Sequence, residues 1–159
     1  MIVAGRIETT TNRNTLAYIL VSIRYSLSLV STRPTTKNYG EQMKTILIVE
    51  DTELNIDLLT QLLEDDYTLF VARDGAQGVS MAQEKNPDLI LMDISLPVMD
   101  GYEATRRIRT TMNSTPIIGL SAHAMNGDTV RAKEAGCNDY LTKPLDEDLL
   151  LKKLKEYLG

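Results

Sequence analysis

Five polar residues stand directly behind short apolar runs, and their types suit one kind of chemistry. Glu50 and Asp51 follow the run 46–49, Asp93 follows 89–92, Ser121 follows 117–120, and Lys143 comes just after 140–141. If these runs are strands pointing the same way, three carboxylates, a hydroxyl and an ammonium group converge at one edge of a sheet. Two like charges about 4 Å apart repel by about 4 kcal/mol at an effective dielectric of about 20, so Glu50, Asp51 and Asp93 would not gather without compensation. Oxygen-only ligation by a few carboxylates suits Mg2+, a hard ion commonly shared with a phosphate. Lys143 adds a second positive charge. Such a set performs phosphoryl transfer to a carboxylate: Asp93 attacks phosphorus, the cations neutralise charge on the equatorial oxygens, and Ser121 hydrogen-bonds one of them. The product carries roughly 1.5 to 2 more negative charges and new strong acceptors, which makes it a switch. Each residue also has a plainer reading. Glu50 and Asp51 would cap the next helix, Ser121 would be a turn residue and Lys143 a solvated loop charge. Their joint occurrence at the ends of four strands favours the common site.

The elements that must position these residues are legible in the apolar pattern. The runs 46–49, 68–72, 89–92, 117–120 and 140–141 are short, apolar and bounded by polar or turn residues, as buried parallel strands are. Between them lie helical stretches. Leu54, Leu58, Leu59, Leu62 and Leu63 share a face, 75–85 carries Ala76, Val79 and Ala82, and 102–109 presents Ala104 and Ile108. Asp128 is placed to cap a helix stopping at Gly136, and Asp146 to cap a last helix through Leu150, Leu154 and Leu158. This (βα)5 alternation predicts an α/β fold: a doubly wound, five-stranded, mostly parallel sheet with right-handed crossovers and helices on both faces. In such sheets ligands bind at the carboxyl edge of the strands, where the five polar residues fall.

At 159 residues, 43% apolar and 25% charged, the chain has the composition of one ordinary globular domain. A net charge of -5 without a basic stripe argues against nucleic acid as a partner. Cys137 is the only cysteine and His123 the only histidine, so an intrachain disulfide is impossible and a Cys/His zinc site implausible; a reducing, cytoplasmic location fits. Cys137 reads as a small packing residue, not a redox sensor. Gly75 and Gly78 lack the rest of a dinucleotide-binding fingerprint. Residues 1–42, rich in Thr, Ser, Asn and Arg, read as a disordered or weakly structured N-terminal extension, with Met43 able to serve as an alternative start and 43–159 as the domain proper. The apolar stretch 16–30 is shorter than a spanning helix and contains Arg24, so no membrane span is expected, contact with a membrane surface or a partner being the alternative to a disordered tail, and no convincing signal-peptide cleavage site follows it. Its periodicity fits a strand and a helix equally, and it stays unassigned.

Four spaced motifs carry a resemblance. They are Ile46-Leu47-Ile48-Val49-Glu50-Asp51, then 91–101 from Leu91-Met92-Asp93 through Pro97 to Asp100-Gly101, then Leu120-Ser121-Ala122, and finally Tyr140-Leu141-Thr142-Lys143-Pro144. In this order, over about 44–159, the chain resembles the response-regulator receiver family of two-component signalling, the stand-alone chemotaxis type in particular. The resemblance implies the flavodoxin-like receiver fold with strand order 2-1-3-4-5. It implies Asp93 as phosphoacceptor, Glu50 and Asp51 as the acidic pair, and Mg2+ held by Asp51, Asp93 and the backbone carbonyl of Ser95. Lys143 and Ser121 would contact the phosphoryl group. Ser121 and Tyr140 would form the switch, the ring turning inward as Ser121 is drawn to the phosphate, and the Lys143-Pro144 bond would be cis. Ser95 and His123 occupy positions that vary within the family and tune dephosphorylation.

The partners implied are a histidine kinase or histidine phosphotransfer protein upstream and a protein target downstream, contacted through about 128–158. Because the sequence ends just after the last helix, no separate output domain is expected, and output is by contact. Whether phosphorylation drives dimerisation is left open, as are the kinase, target and process. An enzyme rival, an aspartyl-phosphate phosphatase, would resemble Asp-x-Asp at the acceptor, but Ser95 holds the second position. The other rival is a receiver-fold scaffold that signals without phosphorylation, against which the complete acidic, hydroxyl and lysine set argues.

Overall fold

A computed structural model describes residues 43–122 and 126–159, with the backbone alone at 126 and 127. The extension 1–42 and His123 lie outside the described residues. Strands and helices alternate: β1 (Thr45–Val49), α1 (Glu53–Leu63), β2 (Thr68–Ala72), α2 (Gly75–Lys85), β3 (Leu89–Asp93), α3 (Gly101–Arg109), β4 (Ile117–Ser121), α4 (Asn126–Ala135), β5 (Asp139–Thr142) and α5 (Glu147–Leu158). The five strands form one sheet in the order β2-β1-β3-β4-β5, every pair parallel. The expected fold class and strand order are both present. Most strands run a residue or two beyond their apolar block, because ladder geometry continues through a polar side chain: Ile94 N donates to Leu120 O at 2.9 Å, and Lys143 N to Ser121 O at 2.7 Å.

Alternation along each strand sorts the core into two layers. Ile46, Ile48, Leu91, Ile118 and Leu120 pack against Leu59 and Leu63 of α1 and Leu150 and Leu154 of α5. Leu47, Val49, Ile90 and Met92 pack on the opposite face against Ala82 of α2, Ala104 and Ile108 of α3, and Ala132 of α4. The central strands, buried on both faces, therefore read as unbroken apolar runs. Asp74, Asp100 and Asp146 cap α2, α3 and α5, accepting from Gln77 N, Glu103 N and Leu149 N at 2.8, 2.8 and 2.9 Å. Cys137 is buried, its sulfur 3.8 Å from Thr105 Oγ1, and burial pushes the thiol up, which suits the packing role.

Three local expectations are corrected. Asp128 is not a cap: α4 begins at Asn126 and places Asp128 in its first turn, where its charge still favours the helix N-terminus. Leu54 is 42% exposed while Ile56 is buried, so the core face of α1 is Ile56, Leu59 and Leu63. Ala76 is exposed, and α2 meets the sheet through Gly75, Gly78 and Ala82. A Cβ at Gly78 would lie 2.8 Å from Val49 Cγ1, so this glycine serves close helix–sheet packing.

Arg109 closes the end of α3. Its guanidinium donates to Gly136 O at 2.8 Å, Met112 O at 2.9 Å, Thr115 O at 2.7 Å and Asn138 Oδ1 at 2.7 Å, tying the loops on either side of β4 and α4 together. Asn138 Oδ1 also accepts from Ile117 N at 2.9 Å. Arg109→Ala strips a charged donor from four acceptors, and urea unfolding is expected to show a loss of about 2 to 4 kcal/mol. A change within 0.5 kcal/mol, as roughly expected of an ordinary surface residue, would rule the clamp out.

Candidate functional site

Four of the five polar residues are held at the carboxyl edge by different strands. Glu50, the residue after β1, is fully buried, and its backbone N–H continues the ladder to Ala72 O at 3.0 Å. Its Oε1 accepts from Thr52 N at 3.2 Å and Asn55 Nδ2 at 3.0 Å. Asp93, the last residue of β3, is 4% exposed, and its Oδ1 accepts from Ser95 N at 3.0 Å. Lys143, after β5, donates from Nζ to Glu50 Oε2 at 2.5 Å and to Asp93 Oδ2 at 2.8 Å. One ammonium thus bridges the ends of β1 and β3. Ser121 ends β4, is 3% exposed and, as noted, is bonded through its carbonyl to Lys143 N.

Asp51 is the solvent-facing member, exposed, with Thr52 Oγ1 donating to its Oδ1 at 3.3 Å. Glu50, Asp51 and Asp93 each offer a carboxylate oxygen, and the three oxygens lie within 4.8 Å of one another. This group could hold a metal ion. Among the described residues, three carboxylates against the ammonium of Lys143 leave two formal negative charges, so the donor set fits a hard divalent cation. Burial pushes Lys143 down, but the hydrogen bonds it donates to Asp93 and Glu50 and the charges of those carboxylates outweigh it and leave the ammonium above its ordinary value. It therefore stays protonated throughout the neutral range.

Tyr140 pairs with Gly119 in the β4–β5 register and lies half-buried against the second-face core. The missing Cβ at Gly119 makes room for the ring, since a Cβ there would lie 3.3 Å from Tyr140 Cδ2. Ser95 is exposed beside Asp93, and the Lys143-Pro144 bond is cis.

Supporting residues that the sequence reading did not single out also belong to this site. Asn55 and Thr52 fix Glu50, and an Asn two residues into a helix gives no signal of that duty. Gly101 lies against the Asp93 backbone, and its N–H donates to Ile94 O at 3.0 Å. The Asp-Gly pair opening a helix was the available signal, but it reads equally as an ordinary cap.

The model of the response regulator receiver domain matches residues 46–155. The chain belongs to that family. Over 119 residues this receiver is 39% identical to the polar-differentiation response regulator DivK of Brucella ovis and of Brucella abortus, covering 73% of the chain and 97% of the relative. It is similar to the receiver domain of the sensor histidine kinase PA1611 of Pseudomonas aeruginosa, whose crystal structure holds a magnesium ion in the active site cleft. That match has 40% identity and a TM-score of 0.69, over 74% of this chain and 99% of that one. The Vibrio cholerae chemotaxis protein CheY4 matches with 28% identity and a TM-score of 0.69, over 73% and 99%. The receiver is thus a signalling domain of two-component systems and not a conventional enzyme. Among the described residues no helix is long and apolar enough to cross a membrane.

Proposed function

We propose that this receiver, residues 43–159, accepts a phosphoryl group on Asp93 from a histidine kinase or phosphotransfer protein in the cytoplasm and thereby changes which protein it binds. The observation that carries the reading is the Lys143 bridge. A half-buried ammonium held between Glu50 and Asp93, beside a third carboxylate, supplies the charge that an incoming phosphoryl group meets. An Asp93 oxygen forms the new P–O bond as the P–N bond of phosphohistidine breaks, and the histidine keeps the leaving electron pair. Lys143 turns from the carboxylates to a phosphoryl oxygen, and the Ser121 hydroxyl donates to another. Asp51, Asp93 and the Ser95 carbonyl would hold Mg2+, which when bound neutralises charge on the phosphoryl oxygens.

Drawing Ser121 toward the phosphoryl group draws the end of β4, and Tyr140 on β5 follows inward over Gly119. The surface at about 128–158 then differs between the two states, which is what a downstream protein reads. Ser95 and His123 tune the lifetime of the phosphorylated state. Substituting either is expected to change the decay rate several-fold with acceptance intact, measured as loss of label from the phosphorylated protein. Unchanged decay in both variants would refute this.

Incubation with acetyl phosphate and Mg2+ tests the central step. The intact protein should gain the mass of one phosphoryl group, and Asp93→Ala should gain none. No adduct on the wild type, or one retained by the variant, would overturn acceptance at Asp93 and favour a scaffold that works without phosphorylation.

A further inference from the structure

Tyr102 lies in the first turn of α3, 6% exposed, and its hydroxyl is the single buried side-chain polar atom without a hydrogen-bond partner among the described residues. A buried hydroxyl left without a partner is costly, and natural proteins rarely keep one without a use. Its charged neighbours come from α4, and Tyr140 of β5 and Cys137 lie close to the phenol as well. The Arg131 guanidinium stands over the Tyr102 ring at 4.8 Å from the centroid. Asp128 lies three residues earlier on the same helix, so it shares the face that Arg131 presents to Tyr102. The Asp128 charge is felt at the phenol, where burial first and then that carboxylate hold the proton on. Neither Asp128 nor Arg131 takes part in an ion pair among the described residues. A protonated donor without an acceptor and a carboxylate in no ion pair among the described residues therefore stand on the two sides of the α3–α4 contact.

We propose that Tyr102 is a positioning residue of the switch: its hydroxyl donates to the Asp128 carboxylate in the phosphorylated state and holds α4 against α3 there. The inference rests on the reading of Asp93 as acceptor. The mechanical link is short, because Ser121 ends β4 and the chain then enters α4 at Asn126. A pull on Ser121 shifts the first turn of α4, where Asp128 sits. A bond present in one state only moves the equilibrium toward that state by its own free energy.

The full chain with Mg2+ and beryllofluoride, a phosphoryl mimic, tests this through the apparent affinity for beryllofluoride, read from the rise in unfolding temperature. Tyr102→Phe keeps the ring and removes the hydroxyl. It should leave the unliganded unfolding temperature unchanged or raised and weaken the apparent affinity about tenfold, the shift expected of one charge-assisted bond made in one state. Asp128→Ala, which removes the acceptor, should weaken it similarly, and the double variant no further than either single one. Equal affinity in Tyr102→Phe and wild type, or fully additive losses in the double variant, would overturn the inference while leaving the acceptor reading intact. No beryllofluoride response in the wild type would overturn the acceptor reading and the inference with it.

Discussion

Replacing Lys143 with methionine is expected to slow phosphoryl acceptance from acetyl phosphate by about a hundredfold or more, and to lower the unfolding free energy in the absence of Mg2+ by about 3 kcal/mol. The two effects share one origin. Methionine keeps most of the aliphatic volume but removes the ammonium bridging Glu50 and Asp93, and it leaves a fully buried carboxylate facing a nearly buried one. The stability deficit should shrink when Mg2+ is added, because a ligand that binds only the folded state stabilises it and the variant has the greater unmet negative charge. The pH profile gives a second check. The folded ammonium lies above its ordinary value of 10.5, so its contribution is fully present below about pH 10.5 and is lost as pH rises through the raised value. Wild-type stability should therefore fall over that alkaline interval, and the Lys143→Met variant should lack this part of the decline. Urea unfolding from pH 7 to 11 measures both. Equal stability and equal acceptance would show that Lys143 is a spectator.

Gly101→Ala is expected to destabilise the receiver by about 3 kcal/mol and to depress acceptance about a hundredfold, although it lies in a helix, where alanine is normally the better residue by about 1 kcal/mol. Helix propensity and steric fit predict opposite signs here, which makes the measurement decisive. A Cβ at Gly101 would stand 2.1 Å from Asp93 O and 2.8 Å from Ile94 Cα, both backbone atoms that cannot swing aside. Relief requires α3 to move off the sheet or the end of β3 to shift, and the latter displaces Asp93 itself. A Cβ at Gly75 would likewise stand 2.2 Å from Met99 O, so both ends of the loop from β3 to α3 are held by glycine contacts. A variant as stable and as reactive as wild type would show that the loop can yield without moving Asp93.

Much of this architecture is legible along the chain because it depends on local rules. Short apolar runs bounded by turns specify buried strands, and Asp146 announces a helix start through a bond made three residues on. Glu50, Asp93, Ser121 and Lys143 could be placed at one edge because parallel strands all present their carboxyl ends there. The chain by itself thus determined the fold class, the strand positions and the residues gathered at the site.

Only the tertiary structure decided how those residues engage. Lys143 reaches Glu50 across 93 positions of sequence and Asp93 across 50, and nothing local shows that one ammonium serves both. Asn55 as a clamp on Glu50, Gly101 as the contact beneath Asp93, and Arg109 gathering four oxygens each depend on partners supplied by another element. The same holds for Leu54, which periodicity placed on one face with Leu59 and Leu63 but which α1 leaves facing solvent while Ile56 is buried. Periodicity records which residues can share a face. How closely that face approaches its neighbour, and which polar atoms meet there, is settled by packing between segments that are distant in the chain.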